Sequence, residues 1–182
     1  MNKSMNKKRL NLGCGKDIRN GWVNLDFIKN DGVDVIHNLN EYPYPFENNT
    51  FDEIIAINLM EHLDRPSDFI REIWRISKPN AKIEIETPHF SSAVAWQDIT
   101  HIRPFSLLTL MHYDEKYLGS SSLLNANERV RFVVDASPVM FRGYRWIGLN
   151  ILAKKYPMFY EKFLTYLFQI AGVNFKLKAI KH

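Results

Sequence analysis

The chain has one cysteine, Cys14, in 182 residues, so it can form no intramolecular disulfide, and a reducing, cytoplasmic setting is expected. No apolar run is long enough to span a bilayer. Met1 to Lys8 is polar and basic with no apolar stretch behind it, which reads as a disordered tail (1–8) rather than a signal peptide or anchor. There is no internal repeat and no low-complexity segment. The net charge is +4, but the basic residues are scattered apart from Lys7-Lys8-Arg9 and Lys176 to Lys181, and none form a run interleaved with aromatics. A nucleic-acid partner is therefore not expected. Two nucleotide signatures are missing as well. Lys16 is followed by Asp17 rather than a hydroxyl residue, which excludes a phosphate-cradling loop, and position 18 is Ile where a dinucleotide loop needs a third glycine.

What is present starts at Arg9-Leu10-Asn11-Leu12-Gly13-Cys14-Gly15. Leu10 and Leu12 read as a short buried strand, and the two glycines allow positive φ and close approach of a ligand to the backbone. With an acidic neighbour and no cationic cradle, this loop suits a ligand carrying little negative charge, such as a nucleoside joined to an amino acid. Cys14 fits as a small residue in a turn rather than a reactive thiol. Lys16 to Gly21 leaves room for one or two helical turns before the strand Trp22 to Asp26, whose terminal acid can accept hydrogen bonds from both ribose hydroxyls. A third strand, Gly32 to His37, runs into Asn38 and Leu39, an amide and a backbone N–H able to read a purine edge.

Phe51 to Ile57 is a fourth strand, followed by Asn58-Leu59-Met60-Glu61-His62-Leu63. A helix then starts at Pro66, carries Phe69, Ile70, Ile73 and Trp74 on one side, and stops at Lys78-Pro79-Asn80. Ala81 to Pro88 alternates as a fifth strand. Strands and helix in this order argue for a doubly wound α/β sheet in one domain, 9–182. A helix is expected over Phe105 to Tyr117, then a polar loop after Gly119, a sixth strand at Arg129 to Val134, and a last edge strand carrying Val173, Phe175, Leu177 and Ala179.

The motifs resemble the class I S-adenosylmethionine-dependent methyltransferases, most closely the small bacterial and archaeal branch called methyltransferase type 11. The resemblance rests on Leu-Asn-Leu-Gly-Cys-Gly at 10–15, Asn-Leu-Asp at 24–26, His-Asn-Leu-Asn at 37–40, the stretch 44–54, Leu-Met-Glu-His-Leu at 59–63 and the stretch 72–80. It implies a Rossmann-like fold: a mostly parallel seven-stranded sheet with an antiparallel edge strand and helices on both faces. S-adenosylmethionine would be the cofactor and S-adenosylhomocysteine the product. By the same resemblance, Gly13, Cys14 and Gly15 would lie against the methionyl and ribose parts, Asp26 would hold the ribose, and Phe27 would flank the adenine. Asn38 and Leu39 would read its edge, Asn58 and Leu59 would line the methionyl pocket, and His62 would lie close by. Glu61 would tie down the turn. The family often carries Asp where this chain has Asn38.

Ligands of open α/β sheets bind outside the carboxyl ends of the strands, which places the acceptor among the loops after strands four and five. His89 leaves strand five there, and Asp98, His101 and Arg103 follow within six residues. His101 is the candidate base, with Asp98 orienting it, Arg103 binding an anionic acceptor group, and His89 completing the pocket. The spacing of His89, Asp98 and His101 matches no metal signature, and no metal is expected. Residues 89–128 and 141–171 read as cap segments. The second is one or two amphipathic helices rich in aromatics, either packing on the sheet or a dimer partner, or forming a lid or a membrane-facing surface. The expected function is methyl transfer to an oxygen of a small molecule or saccharide by a monomer or homodimer. The alternatives are RNA methylation and a non-catalytic nucleoside-binding module.

Overall fold

The computed structural model describes residues 7–117, 130–145 and 148–181. Seven strands, β1 (Arg9–Leu12), β2 (Val23–Asp26), β3 (Val35–Ile36), β4 (Phe51–Ile57), β5 (Ser77–Pro88), β6 (Arg131–Met140) and β7 (Ile170–Ile180), form one sheet in the order β3-β2-β1-β4-β5-β7-β6. The pairs among β1 to β5 are parallel, and β7 runs antiparallel to both β5 and β6. The antiparallel strand is therefore one place in from the edge, and β6 is the edge strand. β7 pairs with β6 from Ile170 to Ile180 and with β5 from Gly172 to Lys178, so its buried Val173, Phe175 and Leu177 lie where it is flanked on both sides.

The register sorts side chains by face. Leu10, Ile54, Ile83, Leu177 and Val134 fall in one row across the sheet, and Asn11, Ile55, Glu84, Lys176 and Asp135 in the next. The first row belongs to the core cluster, which also takes Phe69, Ile70, Ile73 and Ile76 from helix α1 (Pro66–Ile76). Full burial of each such side chain contributes about 1.5–3 kcal/mol. Pro66 at the first helical position and Arg75 in the last turn suit the helix ends, and the Ser77 hydroxyl donates to the Ile73 carbonyl at 2.7 Å. Strand β5 begins at that residue, four positions before the expected start. Apart from Ile55 the second row is polar, and an open groove of about 500 Å³ lies over it between Glu53, Lys82, Glu84, Asp135, Lys176 and Lys178.

The expected helical turns at 16–21 do not form. The Asn24 side chain instead accepts from the Arg19 N–H at 2.9 Å and donates to the Arg19 carbonyl at 3.2 Å, and Asn11 donates to the Asp17 carbonyl at 2.7 Å. Two buried amides thus hold the crossover that a helix would otherwise make. The third strand is only two residues long. The helix expected over 105–117 is replaced by short 3-10 turns at Thr109–Tyr113 and Glu115–Tyr117, because Ser106 and Leu107 bond to the distant Glu161 rather than to a following turn.

Of the cap segments, the first opens with α2 (Val94–Gln97), and its residues 118–128 lie outside the described residues, as does the polar loop after Gly119. The expected tail is described only from Lys7. The second cap segment holds three short helices, α3 (Arg142–Arg145), α4 (Leu149–Lys155) and α5 (Pro157–Phe163), where one or two were expected. Ala153 and Tyr160 are buried, while Ile151, Met158, Phe159 and Phe163 stay exposed. Lys154 of α4 donates to Asp135 and Ser137 on the polar sheet face, opposite the face that α1 covers. No described helix is long and apolar enough to cross a membrane.

Candidate active site

The strand order reverses between β1 and β4, and a cavity of about 710 Å³ opens at their carboxyl ends. Turns supply its walls: Gly13 after β1, Asp26 and Phe27 after β2, Asn38, Leu39 and Asn40 after β3, and Asn58, Leu59, His62 and Leu63 after β4, with Thr100 closing one side. Gly13 has φ +63°, and a Cβ there would lie 2.9 Å from Leu59 Cδ1, so only glycine keeps this wall open. The Asp26 carboxylate accepts from the Gly15 N–H at 2.8 Å and the Ile28 N–H at 2.9 Å. It is buried but still reaches the cavity, where its remaining lone pairs can take hydroxyl donors. Asn58, at φ +50°, donates its N–H to the Glu86 carbonyl at 2.8 Å, which fixes the turn against β5.

A second cavity, of about 600 Å³, adjoins the first and shares Asn58 and His62 with it. Glu61, Pro88, Val94, Gln97, Asp98, Ile99 and His101 complete its wall. The turn at 59–63 and the loop at 98–102 are joined by the Ile102 N–H donating to the Glu61 carbonyl at 2.8 Å. His62 Nδ1 lies 3.0 Å from the Thr100 hydroxyl and 3.3 Å from the Thr100 carbonyl, and that hydroxyl donates to Asp98 at 2.7 Å. Neither partner has a hydrogen to give, so Nδ1 carries the proton. The same holds for His101, whose Nδ1 lies 3.2 Å from the Ala95 carbonyl. In the neutral form each imidazole therefore keeps its lone pair on Nε2. Hydrogen bonds from the Thr100 hydroxyl and N–H hold the Asp98 carboxyl below the usual range, and burial pushes Glu61 up.

Residues 3–136, well over half of the chain, match a family model described as "Methyltransferase domain". The chain belongs to this methyltransferase family. Among solved structures, this methyltransferase resembles a SAM dependent methyltransferase from Archaeoglobus fulgidus, with TM-score 0.60 and 18% identity over 94% of this chain and 86% of the other. It also resembles an S-adenosylmethionine dependent methyltransferase from Mesorhizobium loti, with TM-score 0.56 and 12% identity over 94% and 90%. The [4+2]-cyclase SpnF superposes with TM-score 0.58 and 16% identity over 97% and 75%. At these identities the likeness is one of fold, the class I Rossmann-like fold, and the cyclase shows that this fold alone does not fix a reaction. No curated protein matches the sequence.

Within the methyltransferase, most residues expected at the cofactor line the first cavity. Cys14 and Gly15 are not among its lining residues; they follow Gly13 in the same turn, and the Gly15 N–H bonds to Asp26. Cys14 is buried with its N–H donating to the Leu25 carbonyl, and burial with the nearby Asp26 carboxylate pushes its thiol up, away from the reactive thiolate. Asp98 and His101 face the second cavity, 3.9 Å apart at Asp98 Oδ2 and His101 Nε2, too far for a hydrogen bond. Arg103 lines neither cavity and donates to the Asp64 carbonyl at 2.8 Å. His89 is fully buried, with its ring nitrogens 2.8 Å from the Ser91 hydroxyl and 3.2 Å from Glu161. Glu161 also accepts from Ser106 and the Leu107 N–H, so it ties α5 to the segment that follows Phe105. Sequence reading missed Asn40, Leu63 and Thr100 as cavity residues. Asn40 and Leu63 lie inside quoted motifs, whereas nothing near Thr100 points to His62.

Proposed function

We propose that this methyltransferase moves the methyl group of S-adenosylmethionine to a hydroxyl oxygen of a saccharide or other polyhydroxylated small molecule. S-adenosylmethionine is the cofactor and takes the first cavity, with its ribose on Asp26 and its adenine between Phe27 and the Asn38-Leu39 turn. The acceptor takes the second. The observation that carries this reading is the shared wall: Asn58 and His62 line both cavities, so a sulfonium held by the 58–59 turn faces His62 and His101. The second cavity offers amide, carboxylate and imidazole groups from Asn58, Gln97, Asp98, His62 and His101, a lining suited to several hydroxyls.

In the reaction, an acceptor oxygen lone pair attacks the methyl carbon. The carbon–sulfur bond breaks with its pair left on sulfur, giving S-adenosylhomocysteine, and the acceptor proton leaves. The unprotonated Nε2 of His101 or His62 can hold that proton, while the Thr100–Asp98 pair keeps His62 in the required tautomer. Because the donor is cationic and ready to react, alignment of the two reactants supplies much of the rate.

The test is calorimetric titration of S-adenosylmethionine and S-adenosylhomocysteine into wild type and Asp26→Ala, followed by transfer of labelled methyl to a panel of glycans, small hydroxyl compounds and RNA. Binding weakened about tenfold by the substitution, with label on a hydroxyl compound, is the expected result. Label on RNA alone, or no binding by folded protein, would sink the reading.

A further inference from the structure

We propose that Glu61, His62 and His101 bind a divalent cation of the zinc or cobalt type on the acceptor side of the shared wall. One ligand atom from each residue lies within 4.8 Å of the other two. The set of two imidazoles and one carboxylate, beside an open cavity, is the donor chemistry of catalytic metal sites that keep one position for water or substrate.

Two further observations point to an ion. Glu61 is only 2% exposed, and its Oε2 accepts from the Thr87 hydroxyl at 3.0 Å, yet its Oε1 is buried with no hydrogen-bond partner. Glu61 lines the cavity, and a buried carboxylate oxygen without a donor is unfavourable by itself, a defect that a cation removes. The imidazoles show the second feature. Both direct Nδ1–H at oxygen atoms of the protein, His62 at Thr100 and His101 at Ala95, leaving Nε2 free to ligate. This outer set of hydrogen bonds is what orients metal-bound histidines. Ligands of a tetrahedral ion stand about 3.4 Å apart, so the separations need to close by up to about 1.4 Å. The bond from the Ile102 N–H to the Glu61 carbonyl keeps the two segments in step as they do so.

The sequence reading expected no metal because it grouped His89, Asp98 and His101. The fold separates that group, burying His89 against Glu161, and brings Glu61 and His62 to His101 instead. The use of the ion rests on the acceptor reading of this cavity, although the site itself does not. An acceptor hydroxyl on the open position loses its proton to water more readily, and its oxygen then attacks the methyl carbon as before. The imidazoles then hold the ion in place of the proton.

The experiment titrates Co²⁺ into the apoprotein and follows its visible absorption, with Zn²⁺ competition read by calorimetry. Wild type is compared with His101→Ala, Glu61→Gln and His37→Ala, the last removing an imidazole that lines neither cavity. One equivalent bound by wild type and His37→Ala, with affinity lowered about tenfold or more in both other variants, is the expected result. Glu61→Gln keeps the side chain's shape, and circular dichroism checks its fold; should it unfold, His101→Ala decides alone. No cobalt spectrum in wild type, or equal affinity in His101→Ala, would overturn the site. S-adenosylmethionine binding is measured on the same samples, so loss of the metal reading and loss of the methyltransferase reading appear separately.

Discussion

The two cavities that meet at Asn58 and His62 are built in different ways. The first cavity, proposed for the cofactor, is made by backbone: tight turns leave β1, β2, β3 and β4, and positive-φ positions at Gly13 and Asn58 set its shape. The second, proposed for the acceptor, is made by side chains on two segments about forty residues apart, joined by Thr100, Asp98 and the Ile102–Glu61 bond. A wall of backbone turns tolerates changes of side chain but not of conformation. A wall of side chains behaves in the opposite way, so chemistry there can be altered while the cofactor still binds.

Substitutions on either side of the shared wall test this contrast. The largest effect is expected for His101→Ala, which should lower turnover about a hundredfold or more while leaving S-adenosylmethionine affinity unchanged in calorimetry, since His101 does not line the first cavity. A matching loss of cofactor affinity would break the contrast. Glu161→Gln comes next, because it weakens the bonds to His89, Ser106 and Leu107 that hold α5 in place; a loss of about 1–3 kcal/mol in urea unfolding is expected.

That residue also predicts a pH dependence. Burial raises the Glu161 pKa, but bonds from His89, Ser106 and Leu107 outweigh it and hold the carboxyl below its ordinary 4.5. A depressed carboxyl stabilises the fold above its unfolded pKa, and that stability is lost as pH falls through the folded value. The acid limb of the stability curve below pH 4.5 should therefore be shallower in Glu161→Gln than in wild type. Gly13→Ala acts on the backbone side, where left-handed φ and the approach to Leu59 should cost about 1–2 kcal/mol and weaken cofactor binding with no change in the acceptor-side groups. The smallest effect belongs to Lys154→Ala, away from both cavities. Its pair with Asp135 is half exposed, and a change of at most about 0.5 kcal/mol is expected.

The same contrast explains what could be read from the sequence. Strand β5 and helix α1 stood out because period-two and period-3.6 patterns are local, and the turns that follow the strands sit where the chain places them. Asp26 and Asn38 are therefore legible from position and Asn58 from the family resemblance, and all three line the cavity at the carboxyl ends of the strands. The crossover after β1 was misread because Asn11 and Asn24 look like ordinary strand residues, although their buried amides replace a helix. The 105–117 segment was misread because its partner, Glu161, lies 54 residues beyond Leu107 and is one acid among the aromatics of the second cap. Arg103 and His89 looked chemical in sequence, but the Asp64 carbonyl and Glu161 occupy them.

The central claim is that the methyl group crosses at Asn58 and His62. A crystal structure with S-adenosylhomocysteine bound tests it most directly. The account predicts the ribose hydroxyls on Asp26 and the sulfur facing the cavity lined by His62 and His101. A ligand seated in the groove over the polar sheet face, or a sulfur turned away from His62, would contradict it.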